Sequence, residues 1–133
     1  MSVSDRTRGA SLVVILIAGV LAVATRAQLA SVTRGPYLQR GSDSSIVVRW
    51  RTNVASDSLV SYGVCSPGEP LSLTDFQPDS TVTTEHVVTL QGLSPDTRYC
   101  YAVGSSSQIL AGNDANHFFV TAPALGNSKP TRI

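Results

Sequence analysis

The sequence has no excess of charge of either sign, because ten Lys and Arg residues stand against nine Asp and Glu residues in 133 positions. A domain that binds nucleic acid needs a concentrated positive field on its surface. The near-neutral balance therefore argues against a nucleic-acid partner. Aromatic residues make up only 6% of the chain, yet hydrophobic residues reach 42%. That content is enough to build a folded core, so disorder is not expected.

Residues that usually carry chemistry are also scarce. There are only two histidines, His86 and His117, and their positions form no HxH or HxxxH spacing that would suggest a metal site. No serine lies in a G-x-S-x-G elbow. The stretch Gly112-Asn113-Asp114 is not followed by histidine, so it is better interpreted as a turn than as a phosphatase fingerprint. We predict no catalytic residue and no metal ligand on this chain.

The first 27 residues have the organisation of a secretory signal peptide. Arg6 and Arg8 precede an uncharged apolar run of 15 residues at 10–24, and Thr25-Arg26-Ala27 places small residues at the cleavage site. A helical signal peptide at 1–27 predicts a secreted protein, extracellular or periplasmic, with no membrane attachment after cleavage. The alternative is a membrane anchor through uncleaved residues 10–24, although a spanning helix needs about 20 apolar residues.

The remaining chain predicts one antiparallel β-sandwich of the immunoglobulin or fibronectin type III kind at 28–121, with about seven strands. Residues 45–51 alternate strictly, with Ile46, Val48 and Trp50 on one face. Trp50 is the expected core anchor of this strand. Strands are predicted at 31–39, 45–51, 57–64, 71–75, 81–90, 97–104 and 116–121, with a loop or hairpin at 105–116.

The pattern L-x-P-x-T-x-Y at 93–99 predicts a tyrosine corner, a turn that feeds a strand of such a sandwich. Leu93 is expected to plug the end of the sandwich, and Pro95 starts the turn. Tyr99 is expected to bury its ring and to hydrogen-bond through its hydroxyl to backbone upstream. The predicted structural residues are Trp50, Tyr62, Leu93, Pro95, Thr97, Tyr99 and Tyr101.

The only two cysteines, Cys65 and Cys100, are 35 residues apart, a spacing that fits no zinc motif. In a sandwich of this kind the strand at 57–64 pairs antiparallel with the strand at 97–104. With Val60, Tyr62 and Val64 facing inwards, both cysteines point outwards near the same end. They can form a disulfide, or they can remain free thiols if a bulge near Gly63 turns Cys65 away.

The other polar candidates favour structural roles. His86 lies in mid-strand among core residues, where a hydrogen-bonded structural histidine is expected more often than a ligand. His117 begins the last strand and has the same interpretation. Arg49, Arg51 and Arg98 are placed by strand alternation on a solvated face rather than in a basic patch.

Several segments together resemble the N-terminal fibronectin-like domain of purple acid phosphatases, over 31–133. They are Arg34-Gly35-Pro36-Tyr37-Leu38-Gln39, Ile46-Val47-Val48-Arg49-Trp50-Arg51-Thr52, Tyr62-Gly63, Thr84-Glu85-His86, Leu90-Gln91-Gly92-Leu93-Ser94-Pro95-Asp96-Thr97-Arg98-Tyr99, Phe118-Phe119-Val120-Thr121-Ala122-Pro123 and Lys129-Pro130-Thr131-Arg132-Ile133. The order and spacing of these segments carry the resemblance. Family members often have an aromatic residue in place of Cys100, so a disulfide here would be particular to this protein or its close relatives.

The resemblance implies that the domain precedes a metallophosphoesterase domain, which hydrolyses phosphomonoesters at a dinuclear centre of iron with iron, zinc or manganese. All metal ligands of that family would lie beyond Ile133, so no cofactor is expected on this chain. The implied partner is the metallophosphoesterase domain, which is missing or separately encoded. Residues 122–133 are then a linker toward it. The expected function is a non-catalytic N-terminal domain, present as a truncated or split product. The alternative is a stand-alone secreted interaction or adhesion module.

Overall fold

The computed structural model describes residues 28–130, and the predicted signal peptide at 1–27 lies outside this part of the chain. These residues form an all-β antiparallel fold, which confirms the predicted fold class. No helix among them is long and apolar enough to cross a membrane. The six strands are β1 (Val32–Gln39), β2 (Ile46–Val64), β3 (Asp75–Leu90), β4 (Arg98–Gly104), β5 (Ile109–Gly112) and β6 (Phe118–Val120).

The structure has six strands instead of about seven because two strands are unusually long. β2 runs through 19 residues and β3 through 16, so the separately predicted strands at 45–51 and 57–64 are one continuous strand. No Gly or Pro interrupts β2 between Arg51 and Ser58. The backbone stays extended through this region, and its register against β3 shifts twice, which marks a bend in the strand.

The bends in β2 and β3 divide the fold into two layers. Layer one contains β1 with residues 46–51 of β2 and 85–90 of β3. Layer two contains residues 58–64 of β2, 75–79 of β3, and the strands β4, β5 and β6. Side chains from both halves of β2 and of the other strands meet in one core. Its buried residues are Ile46, Val48, Trp50, Val60, Val88, Leu90, Leu93, Tyr99, Tyr101, Val103 and Phe119.

Three further boundaries differ from the sequence-based prediction. The predicted edge strand at 71–75 is not formed, because residues 71–74 cross the outside of layer two and β3 begins only at Asp75. The predicted loop at 105–116 contains the short strand β5, which pairs with β4. The last strand covers Phe118–Val120 rather than 116–121.

Val64 was expected to face the core but is 62% exposed, at the end of β2.

β1 is an edge strand of layer one and is interrupted at Gly35-Pro36. The peptide bond between Gly35 and Pro36 is cis, and Gly35 has a φ of +88°. A Cβ at Gly35 would lie 2.9 Å from the carbonyl oxygen of Arg49, so no larger residue fits without displacement. The register between β1 and β2 shifts at this point, which opens the layer locally.

Candidate functional site

Three loops meet at the end of the sandwich where β6 finishes, and we call this end the exit pole. They are the loops at 42–45, 93–97 and 120–122. The backbone N–H of Ala122 donates to the carbonyl of Ser42 over 3.0 Å, and that of Asp96 donates to the carbonyl of Ala122 over 3.0 Å. The N–H of Leu93 donates to Ser44 over 3.0 Å. Backbone hydrogen bonds therefore join all three loops at the point where the chain leaves the sandwich.

The tyrosine corner forms the centre of the exit pole. The backbone N–H of Ser94 donates to the hydroxyl oxygen of Tyr99 over 2.9 Å, so the hydroxyl contacts backbone upstream. The Tyr99 ring is buried and stacks on Phe119, with ring centroids 5.5 Å apart. Leu93 is buried beneath the turn, whereas Pro95 is exposed on its surface. The corner thus connects the turn to the core through one side chain.

Thr121 completes the exit pole, although sequence analysis did not single it out. Its hydroxyl donates to the carbonyl of Ser94 over 2.6 Å and accepts from the N–H of Thr97 over 2.9 Å. Its own N–H donates to the carbonyl of Thr97 over 3.0 Å. Thr121 is almost completely buried. The only hint in the sequence is a hydroxyl residue directly before Ala122-Pro123, which is too common a pattern to predict this role.

The first part of the predicted linker stays close to the exit pole. After Ala122 the chain turns, with the N–H of Asn127 donating to the carbonyl of Ala124 over 3.0 Å. The ammonium of Lys129 then forms an ion pair with the carboxylate of Asp96, which lies in the corner. Both side chains are about half exposed, so this contact guides the chain but contributes little stability. Residues 122–130 consequently turn back so that Lys129 lies beside the corner.

A disulfide joins Cys65 and Cys100 in layer two, with an S–S distance of 2.01 Å and Cα atoms 5.7 Å apart. The predicted pairing of the two strands is confirmed, and β2 continues without a bulge to Val64, so Cys65 is not turned away. Both cysteines are on the outer face, as strand alternation predicted, yet both are buried.

Burial of the disulfide follows from the loop at 66–74. A Cβ at Gly63 would lie only 2.2 Å from the carbonyl oxygen of Ser72, so this loop packs directly on the outside of β2. Only glycine allows that approach. Arg98 adds further cover on this face, because its guanidinium carbon lies 3.5 Å from the centroid of the Phe118 ring. Arg98 is half-buried, in contrast to the solvated position predicted for it. Arg49 and Arg51 are exposed, as predicted.

His86 occupies the core between the two layers. Its ring stacks on the indole of Trp50, with centroids 4.7 Å apart and planes 7° from parallel. Its Nε2 lies 2.9 Å from the hydroxyl of Thr52 and its Nδ1 lies 2.7 Å from the hydroxyl of Ser58. The histidine is 1% exposed, and burial lowers its pKa below the ordinary 6.5.

The hydrogen bonds around His86 determine its tautomer. The Thr52 hydroxyl donates to the carbonyl of Val54 over 2.7 Å, so it can only accept from the imidazole. His86 therefore carries its proton on Nε2, and Nδ1 accepts from Ser58. Because both nitrogens are engaged, His86 is a structural link from layer one to layer two, the interpretation that its position favoured.

The second histidine, His117, is paired with a carboxylate at the surface. Its Nδ1 lies 2.8 Å from Oδ1 of Asp114, and its backbone N–H donates to the same oxygen over 3.0 Å. These hydrogen bonds lower the pKa of Asp114 below its ordinary value, with the imidazole contact as the largest cause. The pair closes the turn before β6 and packs edge-on against Tyr101.

The donor set of residues 28–130 does not fit a dinuclear metal centre. No group of three or more His, Cys, Asp or Glu side chains in this range converges on one point. The nitrogens of His86 are both used by hydroxyls, and both cysteines are in the disulfide. No step of phosphoester hydrolysis can therefore be assigned to these residues.

The remaining predicted structural residues lie in or beside the core. Trp50 and Tyr101 are buried, and Tyr62 is half-buried against the ring of Tyr99 at a centroid distance of 6.3 Å. Thr97 donates through its hydroxyl to the carbonyl of Pro95 over 2.8 Å, within the corner. The structure thus brings the residues of the corner together at the exit pole and leaves Trp50 in the centre of the sandwich.

Comparisons with known proteins find one matching family and several similar solved structures. Residues 34–121 match the family described as "Purple acid Phosphatase, N-terminal domain". The fn3 domain of human contactin 1 is similar with 23% identity and a TM-score of 0.50, covering 83% of this chain and 94% of that domain. The sensor domain of the anti-sigma factor RsgI4 of Pseudobacteroides cellulosolvens has 11% identity and a TM-score of 0.46, covering 77% and 86%. No curated protein sequence matches the chain.

Proposed function

The chain belongs to the purple acid phosphatase N-terminal domain family, and from this premise we propose that it is the non-catalytic N-terminal domain of a secreted metallophosphoesterase. On this proposal the dinuclear metal centre and the hydrolysis of phosphomonoesters belong to a partner domain. This chain contributes a β-sandwich that supports that domain. The observation that carries the proposal is the family match over 34–121.

The exit pole supports the proposal by the way the chain leaves the sandwich. Thr121 and Ala122 are held by hydrogen bonds from both sides, and Lys129 pairs with Asp96 further along. A domain joined after residue 130 would therefore be connected to an anchored end of β6, and the Lys129–Asp96 contact would bias the path of the segment in between. Such an exit suits a domain whose role is to position its neighbour.

Secretion is supported by the disulfide. Bridges such as Cys65–Cys100 persist in oxidising compartments and are rare in the cytosol. We propose an extracellular or periplasmic location, reached through the signal peptide predicted at 1–27. Mass spectrometry of the exported protein tests this, because cleavage after Ala27 leaves an N-terminus at Gln28. A mature protein that retains residues 10–24 would contradict it.

A phosphatase assay of the purified chain tests the absence of catalysis. The chain is incubated with a chromogenic phosphomonoester and with added iron, zinc or manganese, at acidic and neutral pH. We expect no turnover above that of the metal ions alone. Metal-dependent turnover that co-purifies with the chain would overturn the proposal, and a chelator control would show whether the activity depends on metal.

The gene itself tests whether a catalytic partner belongs to this chain. We expect the DNA downstream of codon 133 to encode G-D-x-G and G-N-H-[DE] motifs, in the same or a shifted frame. An unrelated gene at that position would favour the second candidate, a stand-alone secreted interaction module. The observation that favours this candidate is the outer face of layer one, where Arg49 and Arg51 are exposed on β2 beside Arg34 of β1.

A further inference from the structure

The outer face of layer one concentrates arginines on neighbouring strands. Tyr37 of β1 is opposite Arg49 of β2, and Arg34 is opposite Arg51 one step further along. Arg49 and Arg51 alternate with the buried Trp50, and the register shift in β1 places both Arg34 and Tyr37 beside them on the same side of the sheet. We call these residues, together with Gln39 and Arg40 at the end of β1, the arginine face.

A depression of about 250 Å³ lies in this face, lined by Arg34, Tyr37, Gln39, Arg49, Trp50, Arg51 and Glu85. It lies where the register between β1 and β2 shifts at Gly35 and Pro36, so the strand interruption shapes it. Two further depressions continue it. One shares Arg34 and Arg51 and the other shares Gln39 and Arg49, which makes one groove along the strands.

The charge of this face is opposite to that of the rest of the domain. Residues 28–130 contain six Lys and Arg residues and eight Asp and Glu residues. Four of the six basic residues are on the arginine face and its rim, accompanied by one acidic residue, Glu85. The remaining surface carries seven acidic and two basic residues. A negative ligand is therefore attracted to one face and repelled by the others.

The guanidinium groups of the face keep donors available for a ligand. Arg34 uses Nε to donate to the Tyr37 hydroxyl over 3.0 Å, and Arg51 uses Nε to contact Glu85 over 3.0 Å. Arg49 has no ion pair or side-chain hydrogen bond within residues 28–130. Terminal N–H groups of three arginines consequently remain free to bind carboxylate or sulfate oxygens in their forked geometry.

We propose that the arginine face binds an acidic polysaccharide along the groove that lies over β1 and β2. The arginines receive its anionic groups, Gln39 provides a neutral partner for hydroxyl groups, and Tyr37, 45% exposed, packs against the apolar face of a sugar ring. A nucleic acid fits less well, because it needs a stronger positive field and several aromatic platforms for its bases. Tyr37 is the one exposed aromatic residue lining the groove.

The proposal does not depend on the presence of a catalytic domain, and it is tested on the full chain by isothermal titration calorimetry at low salt. The probe is a homogeneous oligogalacturonate, with a neutral oligosaccharide of the same length as control. We expect saturable binding of the oligogalacturonate that weakens as salt rises, and no binding of the neutral oligosaccharide. A sulfated glycan fragment in parallel shows whether sulfate or carboxylate is preferred.

Substitutions locate the binding site. We expect Arg49→Gln and Arg51→Gln each to weaken binding about fivefold, because each removes an exposed charge-assisted contact. Lys129→Gln removes the same charge at the exit pole and should leave affinity unchanged. Glu85→Gln should strengthen binding, since it removes the carboxylate that competes for Arg51. Matching unfolding midpoints in urea ensure that these variants remain folded.

Two binding results would overturn the proposal, and so would an absence of binding. One is equal weakening by Lys129→Gln and Arg49→Gln, which would mean that only overall charge matters. The other is equal or tighter binding of a single-stranded oligonucleotide or polyphosphate of the same charge, which would mean that no sugar is recognised. Absence of oligogalacturonate and sulfated glycan binding at millimolar concentration would also contradict it.

Discussion

The two layers of the sandwich face solvent in opposite ways. The outside of layer two is partly covered, by the loop at 66–74 over the buried disulfide and by the stacking of Arg98 on Phe118, which is itself 40% exposed. The outside of layer one is open and carries the arginine face. Layer two also contains the tyrosine corner, from which the chain leaves. Layer one has no covalent link of its own and is connected to layer two through the shared strands and through His86.

This difference suggests a division of roles within one small domain. The reinforced layer holds the exit point in place, so it suits the support of a neighbouring domain. The open layer keeps its charged side chains accessible, so it suits recognition of a ligand. Both layers share a core, and each role therefore depends on the other layer for stability. Experiments that weaken one layer at a time can separate the contributions of the two layers to the stability of the domain.

The largest effect is expected from removal of the disulfide, which lies in layer two. For a loop of 35 residues, the loop-entropy relation gives about 4 kcal/mol of stabilisation. We expect the double variant Cys65→Ala/Cys100→Ala to lose about this amount in urea unfolding. Reduction of the unmodified protein should produce a similar loss, and the double variant should not respond to reductant. An unchanged midpoint on reduction would show that the bridge does not stabilise the domain.

Loss of the Thr121 hydroxyl is expected to weaken the exit pole. Thr121→Val keeps the shape but leaves the carbonyl of Ser94 and the N–H of Thr97 without this partner, at a cost of about 2 kcal/mol. Thr89→Val, on an exposed strand position, is the matched control and should change stability by less than about 0.5 kcal/mol. Unfolding midpoints in urea measure both. Equal effects of the two variants would contradict the role assigned to Thr121.

A smaller effect is expected at the centre of the corner. Tyr99→Phe removes the hydroxyl that accepts from the N–H of Ser94, which should cost about 1 to 2 kcal/mol. Tyr101→Phe is the control, because Tyr101 is equally buried but its hydroxyl makes no hydrogen bond within residues 28–130. The difference between the two unfolding free energies isolates the corner contact. No difference would show that ring packing alone holds the corner.

Acid is expected to weaken the attachment of layer one. Burial lowers the pKa of His86 in the folded state, so below pH 6.5 the unfolded chain binds a proton that the folded chain does not. The stability from the neutral imidazole is complete above the unfolded pKa and is lost as pH falls toward the folded pKa. The free energy of unfolding can therefore fall by about 1.4 kcal/mol for each unit of pH in this range.

Urea unfolding between pH 7.5 and 5.0 measures this slope. Hydrogen bonds lower the pKa values of Asp57, Asp79 and Asp114. Protonation of these carboxylates therefore affects stability only below the pH range of this experiment. His86→Gln should flatten the slope, and hydrogen exchange should show early loss of protection in layer one. An unchanged slope in His86→Gln would exclude His86 as its origin.

Local sequence patterns predicted those features that depend on one strand or one turn. Alternation in residues 46–50 predicted the buried face of layer one, and the L-x-P-x-T-x-Y pattern predicted the corner around Tyr99. The position of the cysteines on the outer face followed from the alternation of two paired strands. These inferences succeed because a period of two and a turn signature are properties of short segments.

Features that depend on distant segments could not be predicted in the same way. The burial of Cys65 and Cys100 requires the loop at 66–74 to pack on Gly63, which no local pattern indicates. The continuity of β2 depends on its pairing with the distant β3, so the break predicted between 51 and 57 was wrong. The groove of the arginine face depends on the register shift opposite Trp50, and the role of Thr121 depends on two loops far away in the chain.

The continuity of β2 means that both layers must keep the same alignment. If β2 slipped by one residue in layer one, Trp50 would turn to solvent and the arginines would enter the core. Because the strand is unbroken, such a slip would also move its far end and draw Cys65 away from Cys100. The covalent bond in layer two thereby opposes slippage in layer one, so a crosslink on one side of the domain preserves the binding surface on the other.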